Sequence, residues 1–297
     1  RRDNHPHPKF VKVSVIVLTY NHENFILPCL KAIAEQRFGD FEVVISDDCS
    51  TDKTPEIASK FAKENPKFRF IQTEKNLGPA GNFQFALKKC QGELLAICEG
   101  DDLWVSPDKL AHQTQAFEKS EVSLVYADYS KIDGKGEVIR ESVLEKQSEQ
   151  FRLKDLIDKH GPSTNSMMFR KSALPEKFPP VFFEVANPDV FLIGYALLQG
   201  DSIFIDHVLS AHREHEGGIW TSRGKIEQGL IRYATLVKFF HQVGKPDLKR
   251  IALEKLERQV ILAREKAPEW FREFFGELPL SRRLILGFKW GYAFLRR

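Results

Sequence analysis

The feature that most constrains the fold is a run of β-branched and apolar residues that stops at polar side chains. Residues 13–18 read Val-Ser-Val-Ile-Val-Leu, and Thr19, Tyr20 and Asn21 follow directly. A run that is apolar at almost every position, without alternation, is typical of a strand buried on both faces, and such strands occur in parallel sheets. The chain is therefore predicted to contain a parallel sheet that is covered on both faces.

Strand and helix patterns alternate through the first third of the chain. Further apolar runs occupy residues 41–45, 68–73 and 93–98, and helical patterns occupy residues 23–36, 55–64 and 82–90. This alternation predicts a doubly wound, mostly parallel α/β sheet with right-handed crossovers.

Polar and acidic residues follow these predicted strands, namely Asp47 and Asp48, then Asn76 to Gly78, then Glu99 to Asp102. Ligands of doubly wound sheets bind beyond the carboxyl ends of the strands. Adjacent carboxylates repel each other, and a divalent cation with oxygen ligands is the usual way to keep them ionised together. The alternative for the last cluster is a solvated turn before a helix that starts at Ser106-Pro107-Asp108. The shared position of all three clusters favours a ligand site.

These motifs, in this order, resemble the signatures of the family 2 inverting glycosyltransferases, which have the GT-A fold. The resemblance covers residues 10–130 best, continues to about residue 220, and leaves out the C-terminal quarter. It implies a GT-A catalytic domain at 11–225, with a nucleotide-binding half up to about 130 and an acceptor-binding half from 131. A polar leader (1–10) and a C-terminal helical region (226–297) flank this domain.

The activity that the resemblance implies is a metal-dependent transfer of a sugar, with inversion, from a nucleotide-sugar donor. The donor is expected to be a UDP-sugar. The expected acceptor is a hydroxyl of a glycan or of a polyprenyl-linked glycan, in the assembly of a surface polysaccharide or another glycan.

The resemblance also implies a set of nucleotide-binding residues at the strand ends. They are Thr19, Tyr20, Asn21, Asp48, Asn76, Gly78 and Asp101. In this interpretation Asp48 accepts the imide N–H of uracil, Tyr20 stacks on the base, and Asp101 approaches the ribose. The structural alternatives are a packed aromatic for Tyr20 and a helix N-terminal partner for Asp48. Many family members carry an Arg near the nucleotide base, and this chain has Pro79-Ala80-Gly81 there instead. The identity of the nucleotide base therefore stays open.

Two further carboxylates receive catalytic roles from the resemblance. Asp102 would ligate Mn²⁺ or Mg²⁺, a Lewis acid that neutralises charge on the departing nucleoside diphosphate. Asp189, after Asn187-Pro188 at the start of a predicted helix, would be the general base that deprotonates the acceptor hydroxyl. The alternative for Asp189 is a helix-dipole partner. Asp128 and Asp133 are weaker candidates, and Asp133 begins a predicted hairpin turn.

Farther along, Arg213 and His215 lie in a segment similar to the family's Arg-x-His loop. The resemblance implies that these two side chains contact the diphosphate, since a guanidinium fork and an imidazole both donate to phosphate. The alternative is a surface loop with chance histidines.

Composition agrees with a globular enzyme and argues against a nucleic-acid-binding, disulfide-rich or membrane-spanning protein. Lys and Arg number 44 against 41 Asp and Glu, and the resulting net charge of +3 is too small to indicate nucleic-acid binding. The four cysteines show no C-x-x-C spacing, so we expect reduced thiols. No apolar stretch is long enough to span a membrane and no signal peptide is recognisable, which predicts a cytoplasmic protein.

The last predicted helix, residues 281–297, has a cationic face. Arg282, Lys289 and Arg296 lie seven residues apart, among apolar and aromatic neighbours. Such a helix suits the surface of an anionic membrane, where a polyprenyl-linked acceptor would reside, and predicts a peripheral location on the inner face. The alternative is a helix packed on the catalytic domain or on a second subunit, which leaves the oligomeric state open.

Two other functions compete with glycosyl transfer. A sugar nucleotidyltransferase has a similar sheet, but the Gly-rich, Arg-containing loop that would follow its first strand is replaced here by Asn21-His22-Glu23. A non-catalytic nucleotide-sugar-binding protein is the second alternative. The presence of both Asp102 and Asp189 argues against it.

Overall fold

The computed structural model describes residues 12–144, 150–159, 161–218, 220, 223–266 and 271. The strands are β1 (Val13–Thr19), β2 (Phe41–Asp47), β3 (Phe68–Gln72), β4 (Leu94–Glu99), β5 (Leu103–Trp104), β6 (Val122–Asp133), β7 (Val138–Arg140), β8 (Met167–Arg170) and β9 (Asp201–Glu214). The α-helices are α1 (Ile26–Ala34), α2 (Thr54–Glu64), α3 (Gly78–Leu87), α4 (Lys109–Ala116), α5 (Asp155–Asp158), α6 (Asp189–Gln199), α7 (Lys225–Gln242) and α8 (Pro246–Lys266). The predicted polar leader (1–10) and the predicted last helix (281–297) lie outside the described residues.

The described residues fall into two units. The first contains residues up to 151 together with 162–175 and 196–213. The second contains residues 152–161, 176–195 and those from 214 onward.

One mixed sheet forms the framework of the first unit, with the strand order β3-β2-β1-β4-β8-β6-β9-β5 and β7 paired to β6. β1 lies parallel to β2 and β4, and β2 lies parallel to β3. This part confirms the predicted doubly wound parallel sheet. β8 then pairs antiparallel with β4 and β6, and β5 pairs antiparallel with β9. The antiparallel extension was not predicted, because its strands find partners far away in the sequence, as Leu95 does opposite Phe169.

The hydrophobic core of the first unit lies on the central strands. All residues of β1 except Leu18 are buried, although Ser14 interrupts the apolar run. Helix α1 covers the sheet with Ile26, Leu30 and Ile33, which are fully buried at helical spacing. Each such aliphatic side chain contributes about 1.5–3 kcal/mol by leaving water. The core therefore fixes β1 and β4 as the rigid centre from which the polar loops extend.

The second unit has an aromatic core between α6 and α7. The rings of Phe191 and Phe239 lie 5.1 Å apart, and those of Tyr195 and Phe239 lie 5.6 Å apart. Gly194 makes this approach possible, since a Cβ there would lie 2.2 Å from Phe239 Cζ.

The two long C-terminal helices, α7 and α8, agree within one residue with the helices that the sequence pattern predicts at 226–243 and 246–267. Helix α8 buries Ala252, Leu256, Val260 and Ala263, a stripe at helical spacing. Within the described ranges, no helix is both long enough and apolar enough to cross a membrane.

Candidate functional site

Parallel pairing brings the ends of three strands together. Thr19 at the end of β1 lies opposite Asp47 of β2, and Leu18 lies opposite Glu99 of β4. The polar residues that follow β1, β2 and β4 therefore emerge at one edge of the sheet, as the sequence predicted.

Asn21 ties the loop after β1 to the loop after β2. Its backbone N–H donates to Ser50 Oγ at 2.9 Å, and its side-chain Oδ1 accepts the N–H of Thr51 at 2.9 Å. Its φ of +56° is a left-handed conformation that Asn adopts more readily than most residues. Asn21 thus shapes the edge of the site.

Asp48 caps the start of α3. Its carboxylate accepts the N–H groups of Leu77 and Gly78, both at 2.8 Å, and the hydroxyl of Thr73 at 3.2 Å. Asn76 Oδ1 also accepts the N–H of Gly78, at 3.0 Å, and Gly78 has a φ of +74°. Burial raises the pKa of Asp48 above its ordinary value, although these hydrogen bonds oppose the shift. A carboxylate has about four acceptor positions, so one more donor can be accommodated.

The ring of Tyr20 projects from the end of β1 and is 41% exposed. Leu77, at the start of α3, is equally exposed. Tyr20 is thus partly accessible to solvent, and its stacking on a base stays a prediction.

Gly100 allows the acidic turn after β4, residues 99–102, to approach β1. Its N–H donates to the carbonyl of Leu18 at 2.7 Å. A Cβ at this position would lie 2.8 Å from Thr19 Oγ1 and 2.9 Å from His22 Nδ1. Glycine is therefore required by close packing.

Glu99 carries a buried carboxylate oxygen, Oε2, that has no hydrogen-bond partner among the described residues. Burial, followed by the negative charges of Asp102 and Asp101, raises the pKa of Glu99 well above its ordinary range. Burial and the like-charged neighbours thus oppose ionisation of Glu99, and a bound cation would favour it.

Asp102 is held by three protein groups and is only 2% exposed. Oδ1 accepts the N–H of Arg213 at 2.8 Å, and Oδ2 accepts Asn165 Nδ2 at 2.7 Å. His212 Nδ1 lies 3.2 Å from Oδ1. Burial works against a charged imidazole, but the carboxylate of Asp102 outweighs it and raises the pKa of His212 to about 9. Asp102 and His212 thus form an ion pair.

Asp101 has a more accessible carboxylate than Asp102, with 17% of its side chain exposed. Its Oδ2 lies 3.6 Å from His22 Nε2. His22 extends from the loop after β1, where its N–H donates to Thr54 Oγ1 at 2.8 Å. Asp101 therefore presents a carboxylate that a ligand can reach.

The side chain of Arg213 stabilises the acidic turn through hydrogen bonds to backbone carbonyls. Its Nε donates to the carbonyl of Asp101 at 2.7 Å and its Nη1 to the carbonyl of Asp133 at 3.0 Å. The guanidinium carbon lies 5.0 Å from the centre of the Phe25 ring. The guanidinium thus binds backbone oxygens, and its predicted contact with a diphosphate stays a prediction. The same holds for His215, which belongs to the second unit.

Asp189 is the first residue of α6, in the second unit, and is partly buried. Burial raises the pKa of its carboxyl above the ordinary value, and the backbone N–H of Val190 and the charge of Arg232 oppose this shift. A carboxylate with a raised pKa is a better proton acceptor near neutral pH.

Comparison with known proteins identifies the family of the chain. Residues 14–176 match the family described as Glycosyl transferase family 2. The chain belongs to this family. Its fold is the GT-A fold that its motifs predicted.

Two curated relatives illustrate how the family 2 match extends. An uncharacterized protein of Mycobacterium tuberculosis (strain H37Rv) is 30% identical over 213 residues, which cover 71% of this chain and 61% of that protein. An uncharacterized glycosyltransferase of Nostoc sp. is 27% identical over 174 residues, covering 57% of this chain and 54% of that protein. The chain thus spans somewhat more than half the length of these relatives.

Solved structures show the same fold. S. aureus TarS (positions 1–349) in complex with UDP-GlcNAc matches with a TM-score of 0.64 at 22% identity, covering 94% of this chain and 81% of that one. The mannosyltransferase PcManGT from Pyrobaculum calidifontis, in complex with GDP-Man and Mn²⁺, matches with a TM-score of 0.61 at 20% identity, covering 95% and 87%.

One feature of the acidic turn fits a divalent metal. Within the part of the chain that the structure describes, no three His, Cys, Asp or Glu side chains are grouped so that they alone could hold a metal. The unpartnered oxygen of Glu99 and its like-charged neighbours nevertheless favour a bound cation. Most ligands would then come from substrate oxygens and water, as is common for Mg²⁺.

The structure also adds residues that sequence reasoning missed. His22, Asn165 and His212 surround the acidic turn, yet Asn165 lies 63 residues and His212 110 residues from Asp102 in the sequence. Only His22 carried a local signal, because it directly follows the polar residues at the end of β1.

The two weaker acidic candidates have structural contacts. Asp128 accepts the N–H of Leu144 at 2.7 Å and that of Val143 at 3.1 Å. Asp133 accepts the N–H of Lys135 at 2.8 Å in the turn between β6 and β7, which confirms the predicted hairpin.

Proposed function

We propose that this glycosyltransferase moves a sugar, with inversion, from a UDP-sugar to a hydroxyl of a glycan or polyprenyl-linked acceptor, and that it needs a divalent metal. The observation that carries the proposal is the acidic turn after β4, which lies beside the end of β1 and contains the unpartnered carboxylate oxygen of Glu99. Fold neighbours that bind UDP-GlcNAc and GDP-Man support a nucleotide-sugar as donor.

The nucleotide would bind along the strand ends. The exposed ring of Tyr20 offers a stacking surface for the base, and Asp48 retains an acceptor position for an imide N–H. Asn21, Asn76 and Gly78 shape the loops around this position, while Thr19 supplies a buried hydroxyl that has no partner among the described residues. Asp101 would accept a ribose hydroxyl.

A Mn²⁺ or Mg²⁺ ion would be held at the acidic turn and would neutralise the charge of the leaving nucleoside diphosphate. Asp102 remains the proposed ligand. Because Asp102 is buried and contacts three protein groups, the more exposed Asp101 is the alternative ligand. Arg213 and His215 are proposed to contact the diphosphate.

Asp189 is proposed as the general base that takes the proton of the attacking hydroxyl. Its raised pKa and its place at the start of α6 support this role. Inversion requires only this one carboxylate, because the attack and the departure occur on opposite faces of the sugar.

The acceptor would bring the enzyme to the inner face of the cell membrane. The cationic residues at 281–297 support a peripheral contact with anionic lipid. Assembly of a surface polysaccharide or another glycan is the setting in which such an acceptor occurs.

Donor turnover tests the proposed activity. Release of nucleoside diphosphate should be measured from UDP-GlcNAc, UDP-glucose and GDP-mannose, each with Mn²⁺, with Mg²⁺ and with a chelator. We expect release from a UDP-sugar that the chelator stops. Formation of a nucleotide-sugar from a nucleoside triphosphate and a sugar 1-phosphate would instead indicate a nucleotidyltransferase. Binding without any release would indicate a non-catalytic protein.

A further inference from the structure

We propose that Thr235 of α7 is a positioning residue for Asp189 and acts through a hydrogen bond to the side chain of Asn187. The inference rests on the proposed function, in which Asp189 is the general base. Thr235 is buried, and its hydroxyl donates to Asn187 Oδ1. Both residues belong to the second unit.

Asn187 fixes the turn that carries Asp189. Its carbonyl accepts the N–H of Val190 at 3.4 Å, and the carbonyl of Pro188 accepts the N–H of Phe191 at 3.0 Å. Asp189 is therefore the first residue of a helix that directly follows Asn187-Pro188, and the side chain of Asn187 is anchored to α7. Movement of Asn187 would move this turn and the carboxylate with it.

Helix α7 contacts the same region through two further residues of one face. Arg232, one turn before Thr235, places a positive charge that acts on Asp189, and its Nη2 is fixed by the carbonyl of Leu156 at 2.8 Å. Phe239, one turn after Thr235, packs where Gly194 leaves room in α6. Residues spaced by three and four lie on one side of a helix. The face of α7 thus contacts the segment just before α6 through Thr235 and the middle of α6 through Phe239.

Unlike the charge of Arg232, the hydrogen bond of Thr235 affects only the position of the Asp189 carboxylate. A general base must lie within hydrogen-bond distance of the hydroxyl that it deprotonates. A displacement of about 1 Å can lower the rate of such a step by about 10²-fold. Thr235 would therefore affect turnover without touching the substrate.

The test compares Thr235→Val, which keeps the shape and removes the donor, with Thr235→Ser, which keeps the donor. Thr114→Val is the matched control, because the buried hydroxyl of Thr114 has no partner among the described residues. Nucleoside diphosphate release from the donor that the wild type turns over gives kcat and KM, and UDP titration with Mn²⁺ gives nucleotide affinity. A melting curve checks that each variant is folded.

We expect Thr235→Val to lower kcat about 10-fold, with KM and UDP affinity nearly unchanged, since the loss lies in the transition state. Thr235→Ser should restore most of kcat, and Thr114→Val should match the wild type. Asn187→Ala should reproduce the loss, and adding Thr235→Val to it should cost little more, because both remove one interaction. Should Thr235→Val fail to fold, Asn187→Ala provides the same comparison.

A wild-type kcat for Thr235→Val and Asn187→Ala, beside an inactive Asp189→Asn, would overturn the positioning role alone. Equal losses in Thr235→Val and Thr235→Ser would also overturn it, since they would indicate packing. If Asp189→Asn itself retained turnover, the general base of the proposed function would be wrong as well.

Discussion

The strand ends of the first unit and the start of α6 in the second unit hold their carboxylates in different ways. At the strand ends, parallel register places Thr19, Asp47 and Glu99 at one edge, and short loops supply the backbone N–H groups. At α6, Asp189 depends on a helix that comes later, since Thr235 and Asn187 lie 48 residues apart. The first arrangement follows from motifs that can be read in the sequence, and the second follows from packing.

The comparison also extends to charge. Asp102 is paired with His212, whose pKa is raised to about 9, while Glu99 beside it keeps an unpartnered oxygen. At Asp189, burial raises the pKa and the charge of Arg232 opposes this shift. These differences support the proposed roles, which are a cation site at the strand ends and a proton acceptor at the start of α6.

The largest expected effect tests the acidic turn. Asp102→Asn should reduce transfer to background and remove the Mn²⁺ dependence of UDP binding, because it removes the proposed metal ligand. Transfer assays and UDP titration with and without Mn²⁺ measure both effects. Asp108→Asn, at a surface ion pair with Arg37, is the control. If Asp101→Asn abolished the metal dependence and Asp102→Asn did not, the ligand would be Asp101.

The next effect tests the start of α6. Asp189→Asn should lower kcat by about 10²-fold or more while donor affinity stays nearly constant, because the base acts in the transition state. Unchanged turnover with weakened donor binding would contradict this role and make Asp189 a binding residue.

The pH profile of transfer sharpens the same assignment. The base must be ionised, so turnover should rise with pH through the pKa of Asp189. Since burial raises this pKa, the rise should occur above the ordinary range of an aspartate, near 3.9. The measurement is kcat against pH, and the rise should disappear in Asp189→Asn.

A smaller effect tests the close approach of β4 to β1. Gly100→Ala should lower stability by about 1–3 kcal/mol and weaken donor binding, because its Cβ would overlap Thr19 Oγ1 and His22 Nδ1. Gly39→Ala is the matched control, with nothing within 4 Å of its Cβ. Thermal melting and UDP titration of both variants measure the difference. A wild-type melting temperature for Gly100→Ala would show that the turn can yield.

The smallest effect on turnover is expected from residues 281–297, which lie outside the described residues. Deletion of 281–297 should leave UDP binding unchanged and abolish co-sedimentation with anionic vesicles, and the binding of the intact chain should weaken with added salt. A lower melting temperature or a dissociated oligomer after deletion, without vesicle binding of the intact chain, would instead support a helix packed on protein.

The sequence by itself determined the central sheet and the position of its acidic edge. The run at 13–18, apolar at every position except Ser14, is typical of a strand buried on both faces, and polar residues after successive parallel strands emerge at one edge of the sheet. It also determined the hairpin at Asp133 and the bounds of α7 and α8, since turn chemistry and helical periodicity are local.

Only the tertiary structure decided which groups surround those carboxylates. Asn165 and His212 reach Asp102 through the antiparallel part of the sheet, and Arg213 turns its guanidinium to the backbone of the acidic turn. Thr235 reaches Asn187 through the packing of α7 on α6. None of these contacts has a local pattern, because a hydrogen bond between residues far apart depends on how strands and helices pack rather than on neighbouring residues in the chain.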